Sequence, residues 1–463
     1  MGMERTDTIA AISTPHGTGG IAIIKISGPD ASRVLASCFR PAKKGFPSLP
    51  KDLSFGKVLS KDGSFVDEAV ALYFEGPRSY TGEDVAEIQC HGGTAAARAV
   101  LAEAICSGAR QARAGEFTKR AFMNGKMSLI KAEATLAMIK ARTEKARQMA
   151  SGLLEGSSQR RAMDLKAEIT EVLAGIEAGL DWPDETADEQ GTAAQISRLQ
   201  GLEEEVNSMI EEESRGRLLI DGIKVAIIGR PNMGKSSLLN RILGMERALV
   251  SDIPGTTRDT VEETANVDGM PIRFADTAGI GETDDPLVKA GVQRAKKAAL
   301  TSAVVVYVAD YPAGLTAEDE EEISRLSGKP VVIVVNKTDL KKSPQGRTIG
   351  NDDDAYRIPG YSVVEVSART GEGIEELRKA IAEKALAISE FEIGDSSSSR
   401  WIACLGSCRA ALIRARAALA AGSSGELACV ELRDALYALG ELTGDVMTED
   451  VMDVVFEKFC VGK

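Results

Sequence analysis

Lys224-Val225-Ala226-Ile227-Ile228 runs directly into Gly229-Arg230-Pro231-Asn232-Met233-Gly234-Lys235-Ser236, and then into Ser237-Leu238-Leu239-Asn240. The first five residues are an apolar run of buried-strand length. The octapeptide fits G-x-x-x-x-G-K-[ST], and the last four residues open a helix. Strand, glycine-rich loop and helix in that order read as a phosphate-binding loop. The glycines let backbone N–H groups turn inward around phosphate oxygens at a helix N-terminus. Lys235 brings a point charge to the outer phosphates, and the Ser236 hydroxyl is placed to ligate Mg2+.

Downstream, Ile272–Ala275, Val304–Ala309, Val331–Val335 and Val363–Val366 are further apolar runs, several of them separated by helical stretches. This pattern predicts a parallel sheet with helices on both faces, ending near Ala387. Four segments in it follow the order that a GTP site needs. Ser251-Asp252-Ile253-Pro254-Gly255-Thr256-Thr257-Arg258-Asp259 is a Gly/Pro-containing loop whose Thr257 can complete Mg2+ coordination. Asp276-Thr277-Ala278-Gly279 would reach the metal through water with Asp276 and the γ-phosphate with Gly279. Asn336-Lys337-Thr338-Asp339 ends a strand; the Asp339 carboxylate can accept from guanine N1–H and its 2-amino group, which adenine does not offer as a pair. Ser367-Ala368-Arg369 sits where a backbone N–H would meet guanine O6.

A Ras-like site carries a water-orienting Gln after this aspartate segment, but here the residue is Ile280. Hydrolysis therefore needs another device. The Asn232 side chain either holds a monovalent cation beside the phosphates, with carbonyls of Ser251–Thr256 completing the shell, or simply shapes the loop.

The chain has 463 residues, about three times the ~150 residues of a typical domain, which predicts two or three domains. Its net charge of −13 argues against a nucleic-acid binder working by bulk charge. The charge is uneven: residues 1–126 hold 16 Lys/Arg against 13 Asp/Glu. Only His16 and His91 are present, so chemistry further along runs without imidazole. The seven cysteines are scattered, and Cys404 and Cys408 lack a second pair for zinc. No signal-peptide core or membrane-spanning run is seen, so a cytoplasmic setting and no membrane are expected.

Residues 7–95 read as short strands and turns, with Ile21–Ile26, Ala69–Phe74 and Val85–Gln89 the clearest. From Met127 to about Leu180 helix formers dominate; Trp182-Pro183-Asp184 interrupts, and an acidic helical stretch follows with Leu199, Leu202, Val206 and Ile210 at helical spacing. Ser396–Arg400 reads as a linker, and 401–460 is helical again. Two helical stretches, neither with a complete core, flank the α/β unit, which is read as inserted into one helical domain.

Three regions together are similar to one family, the tRNA modification GTPases MnmE/TrmE. The N-terminal region carries Asp7-Thr8-Ile9, Thr14-Pro15-His16-Gly17, Ile26-Ser27-Gly28, Tyr80-Thr81-Gly82-Glu83-Asp84, His91-Gly92-Gly93, Gly115-Glu116-Phe117-Thr118 and Ala121-Phe122-Met123-Asn124-Gly125-Lys126. The middle carries Gly255-Thr256-Thr257-Arg258-Asp259, and the end Cys460-Val461-Gly462-Lys463. The resemblance implies a multidomain α/β chain: residues 1–124 as a mixed α/β folate-binding and dimerisation domain, 125–217 and 388–463 as one discontinuous all-α helical domain, and 218–387 as an inserted Ras-like P-loop GTPase domain. It also implies a homodimer, an MnmG (GidA)-type FAD protein as partner in a heterotetramer, tRNA as substrate, and K+ with GTP and Mg2+. A reduced folate, 5-formyl- or 5,10-methylene-tetrahydrofolate, would supply the one-carbon unit of a carboxymethylaminomethyl-type group at C5 of the wobble uridine.

Carried over, folate contacts fall on Lys25, Glu87, Lys126 and Lys463; K+ on Asn232, Ser251, Ile253 and Thr256; Mg2+ on Ser236 and Thr257. Lys235 and Asp276 are the catalytic candidates in the GTP site. Cys460 is either a nucleophile or redox group or an incidental thiol. The family's catalytic glutamate aligns with Val288, which cannot hydrogen-bond water, so hydrolysis is either slowed or rescued by Glu282 or Asp284. A regulatory GTPase acting on RNA or ribosome without modification chemistry is the alternative.

Overall fold

A seven-stranded and a six-stranded sheet organise the computed structural model, which describes residues 7–15, 17–42, 44–46, 51–181, 189–244, 263–267, 269–275, 298–312, 314–326, 328–342, 358, 360–386, 400–421, 425–446 and 449–462. The chain divides into two units. One is built mainly from Met1–Leu136 and Thr443–Lys463, the other from Ala137–Ser251 and Thr257–Leu442.

The first unit contains β1 (Ile9–Ile12), β2 (Ile21–Ser27), β3 (Phe39–Pro41), β4 (Lys51–Leu59), β5 (Phe65–Phe74), β6 (Val85–His91) and β7 (Arg110–Gln111), in the order β3-β4-β5-β6-β2-β1-β7. The helices Ala31–Cys38 and Thr94–Cys106 cover one face. Val34, Leu35, Val100 and Ala104 pack there on Ile24, Ile26, Ala71 and Ile88. Register puts the other residues of these strands in rungs on the opposite face: Phe55–Val70–Gln89–Ile23 and Leu53–Leu72–Glu87–Lys25. Leu53, Phe55 and Ile21 are more than half exposed there. β4 escapes the sequence reading because its inward positions, Asp52, Ser54 and Gly56, are polar or small. At Gly56 a Cβ would lie 2.2 Å from the Arg40 carbonyl oxygen, so the neighbouring strand requires glycine.

Residues near the C-terminus complete this unit. The helix Glu449–Phe456 and the following turn bury Val455, Phe456 and Phe459 against Leu129 and Ala132. Gly462 then lies along the end of β1, its carbonyl accepting from Ser13 Oγ at 2.9 Å.

Charged residues from four segments meet beside β1. The Arg120 guanidinium is buried; it donates to the Asp7 carbonyl at 2.6 Å, to Asp7 Oδ1 at 2.8 Å, to Glu83 at 3.2 Å and to Glu116 at 3.2 Å. Arg110 bonds Asp7 at 2.5 Å and Glu116 at 2.6 Å. The Arg110 bond, supported by Arg120 and opposed by burial, holds the Asp7 carboxyl at about 2 against an ordinary 3.8. A carboxyl lowered on folding stabilises above its unfolded value and loses that contribution as pH falls through the folded one. Asp7→Asn should therefore flatten the loss of melting temperature between about pH 4 and pH 2, as read by thermal melts along an acid series.

The second unit contains β8 (Ile223–Ile228), β9 (Glu263–Val267), β10 (Met270–Phe274), β11 (Val304–Asp310), β12 (Val331–Asn336) and β13 (Ser362–Glu365), ordered β13-β12-β11-β8-β10-β9. All neighbouring pairs are parallel except the β9–β10 hairpin. Every residue of β11 and β12 is buried, as continuous apolar runs require when helices cover both faces. Val225, Ile227, Val306 and Val308 face Leu238, Leu239, Leu377 and Ile381 on one side. Ala226, Ile228, Val305 and Tyr307 face Ala299, Ile323 and Leu326 on the other. The hairpin strand β9 has no counterpart among the apolar runs of the sequence, because the polar sequence of an edge strand carries little apolar signal.

The helical stretch from Met127 is read in the sequence as nearly continuous. It forms three helices: Leu129–Lys140, Glu144–Leu154 and Ser157–Asp181. Thr143 caps the second by accepting from Ala146 N, and Gly156, at φ +79°, separates the second from the third. The 33-residue helix Glu189–Asp221 buries Leu199, Leu202, Val206 and Ile210. The helix Arg400–Ala420 lies against it through Arg416–Glu203 at 2.6 Å and Arg409–Asn207 at 2.8 Å. Cys404 and Cys408 point into this packing, and burial pushes the Cys408 thiol up to about 12. Among the described residues no His/Cys/Asp/Glu group could hold a metal ion, and no helix is long and apolar enough to cross a membrane.

Candidate functional site

β8, β11, β12 and β13 run parallel, so their C-terminal ends open onto one edge of the sheet, where such folds bind ligands. After Ile228 the chain turns at Gly229 (φ +139°), Asn232 (φ +62°) and Gly234 (φ +86°) before the helix Lys235–Gly244 begins. A Cβ at Gly229 would lie 2.2 Å from the Val308 carbonyl oxygen, and one at Gly234 would lie 2.3 Å from Asn336 Nδ2. Both positions thus require glycine for conformation and for space.

Asn336 joins the three segments that were distant in sequence. Its Nδ2 donates to the Met233 carbonyl at 2.9 Å, and its Oδ1 accepts from the Ala368 backbone N–H at 3.1 Å. Lys337 Nζ donates to the Asn232 carbonyl at 2.8 Å. Lys235 Nζ donates to the Arg230 carbonyl at 2.6 Å, and burial lowers its pKa. Ser236 and Ser237 open the helix with exposed side chains.

The positions expected from the sequence to read guanine are also held. Asp339 Oδ1 accepts from Ser367 Oγ at 2.8 Å, and the same hydroxyl accepts from Thr370 N–H at 3.1 Å. Arg241 bonds the carbonyls of Ala368 and Arg369, fixing the segment from below. The remaining predicted site residues, Ser251, Asp252, Ile253, Pro254, Gly255, Thr256, Thr257, Asp276, Thr277, Ala278, Gly279 and Glu282, lie outside the described residues, as do Val288, Lys463 and His16.

In the first unit, Lys25 and Glu87 are directly opposite one another on β2 and β6, on the face away from the helices Ala31–Cys38 and Thr94–Cys106. The Lys25 ammonium stands 4.9 Å from the Tyr80 ring centroid and 5.6 Å from that of Phe117. Lys126 Nζ donates to the Pro77 carbonyl at 2.8 Å, and its stem passes over Gly82. The Cys460 side chain is exposed, and its carbonyl accepts from Gly115 N–H.

Comparison with known proteins spans both units. The family model described as "MnmE helical domain" matches residues 129–460, and that described as "GTP-binding protein TrmE N-terminus" matches residues 8–126. The protein named tRNA modification GTPase MnmE of Symbiobacterium thermophilum is 40% identical over 466 residues, covering 99% of each chain. Its namesake in Geobacter sulfurreducens is 40% identical over 462 residues, again covering 99% of each. The chain belongs to the tRNA modification GTPase MnmE family. Several N-terminal motif residues of that family turn out to bond one another. Ser27 Oγ meets Thr81 Oγ1 at 2.7 Å and donates to Glu83 at 2.8 Å; Tyr80 OH meets Thr118 Oγ1 at 3.0 Å; Arg120 collects Asp7, Glu83 and Glu116. Arg120 stands between two of the quoted motifs, Gly115–Thr118 and Ala121–Lys126, and its place among the carboxylates is visible only in the fold.

Proposed function

We propose that this member of the family hydrolyses GTP to drive, with an MnmG-type flavoprotein, the addition of a carboxymethylaminomethyl-type group at C5 of the wobble uridine of certain tRNAs. One observation carries the reading: the guanine-nucleotide site and the family's N-terminal and C-terminal motifs occur together on a chain matched to its relatives from end to end. The proposed domains are residues 1–124, 125–217 with 388–463, and the inserted 218–387.

The chemistry of the donor set fits the implied ions. Ser236 and Thr257 offer hydroxyl oxygens suited to Mg2+, and Asn232, Ser251, Ile253 and Thr256 offer amide and carbonyl oxygens suited to K+. Bound there, the ions would neutralise charge developing on the phosphates where an arginine finger would otherwise act. Lys235 would hold the outer phosphates and Asp276 would orient the Mg2+ water. Asp339, braced by Ser367, would read guanine. For the reduced folate, Glu87 supplies an acceptor for a pterin donor edge, and Lys25, Lys126 and Lys463 supply cations for its glutamate tail. Exposed apolar Leu53, Phe55 and Ile21 on the same open sheet face support the homodimer.

Loss of the wobble modification in a deletion strain, restored by this chain, is the expected result of a complementation test; no restoration would overturn the proposal. GTP turnover should be faster in K+ than in Na+, and equal rates would remove the cation role of Asn232. Val288 favours slowed hydrolysis with partial rescue by Glu282 or Asp284. Glu282→Ala or Asp284→Ala should then cut the single-turnover rate of GTP hydrolysis by about tenfold or more. Rates typical of the family and indifferent to both changes would refute this.

A further inference from the structure

β11 supplies none of the residues expected to read phosphate or guanine, yet two of its side chains connect to the phosphate loop at separate points, each through one intervening residue. Its last residue, Asp310, is buried, and Asp310 Oδ2 accepts from Lys337 Nζ at 2.9 Å. The same ammonium donates to the Asn232 carbonyl. Tyr307, fully buried three residues earlier, donates to Asp319 Oδ1 at 2.6 Å, and that oxygen pairs with Arg230 Nε at 3.1 Å. Arg230 and Asn232 are the second and fourth residues of the loop.

Lys337 has four rotatable side-chain bonds and a partly exposed head, so nothing in its own chemistry points the ammonium at a backbone carbonyl. A carboxylate on a rigid strand does. Asp310 is paired in register with Asn336, the residue preceding Lys337, and both strands are wholly buried. The distance between carboxylate and ammonium is therefore set by the sheet. Lys337 has left-handed backbone (φ +65°), a conformation that a lysine keeps only when its surroundings hold it, and Asn232 shares it at φ +62°.

We propose that Asp310 is a positioning residue of the nucleotide site. Acting through Lys337, it holds the Asn232 carbonyl and keeps the phosphate loop in the turn that receives GTP. This rests on the GTP site alone and is independent of K+ and folate.

The test is a double-mutant cycle of Asp310→Asn and Lys337→Met in the full chain. It reads Kd for a fluorescent GDP analogue, kcat and KM for GTP, and the melting temperature. Asp310→Asn should raise Kd and KM by about tenfold, a larger effect than any on kcat. In the Lys337→Met background the same change should do nothing further, because the path it acts through is gone. Asp310→Glu should recover most of the affinity. An unchanged Kd in Asp310→Asn overturns the proposal. So do effects that multiply in the double variant, which would make Asp310 a core group acting on its own. If Asp310→Asn does not fold, the cycle is run with Asp310→Ser and judged by the same two outcomes. Failure of the wild type to bind the analogue would instead refute the GTP site.

Discussion

Asp339→Asn should lower affinity for GTP by about a hundredfold to a thousandfold and transfer preference to xanthosine triphosphate. The carboxylate of Asp339 would accept two hydrogen bonds from guanine, and each bond to a charged group contributes roughly 1.5–3 kcal/mol. An amide nitrogen in its place would face the 2-amino group, donor against donor. Xanthine carries a carbonyl there and accepts instead. The surroundings favour a clean exchange: Ser367 Oγ holds Oδ1 at 2.8 Å, and an asparagine oxygen can accept the same bond. Competition between the two nucleotides for a fluorescent analogue measures the switch. Unaltered preference for GTP would show that the base is read elsewhere.

Arg120→Ala should destabilise the N-terminal unit by about 3–5 kcal/mol, the usual cost of removing one partner from a buried ion pair. Arg120 is 7% exposed, and the side chains of Glu83 and Glu116 are 12% and 15% exposed. Without the guanidinium, the nearly buried Glu83 loses its ion pair with Arg120, Asp7 and Glu116 keep Arg110, and the Asp7 carbonyl loses a donor. Arg120→Lys should recover only part, since one ammonium cannot span Asp7, Glu83 and Glu116 as a planar fork does. Hydrogen exchange read strand by strand checks both: protection should fall first in β1 and β2. Wild-type protection in Arg120→Ala would contradict the account.

The nucleotide site was readable in advance because its signals are local. Glycines at fixed spacing, an apolar run before them and a helix start after them each depend on a few neighbouring residues. The positive φ angles at Gly229 and Gly234 and the clash distances at both glycines are the physical form of that spacing. The buried strands β8, β11 and β12 were visible for the same reason: a run covered on both faces is apolar throughout. β4 and β9 were not, since one has polar and glycine positions facing inward and the other is a short edge strand. Breaks in the helical stretch at Thr143 and Gly156 leave little trace in the sequence, as a cap and a single left-handed glycine weigh little against surrounding helix formers.

The family, the glycine-rich loop and the buried strands are legible in short windows of sequence, because such windows encode backbone conformation and burial period. Which side chains meet is a property of the folded chain. Lys25 stands opposite Glu87 only because β2 and β6 pair in that register. Asp310 reaches Lys337, and Arg120 reaches Asp7 across 113 residues of chain, only because folded strands and helices bring them together. A charge pair spends its energy on distance and orientation, and neither quantity exists until the chain is folded.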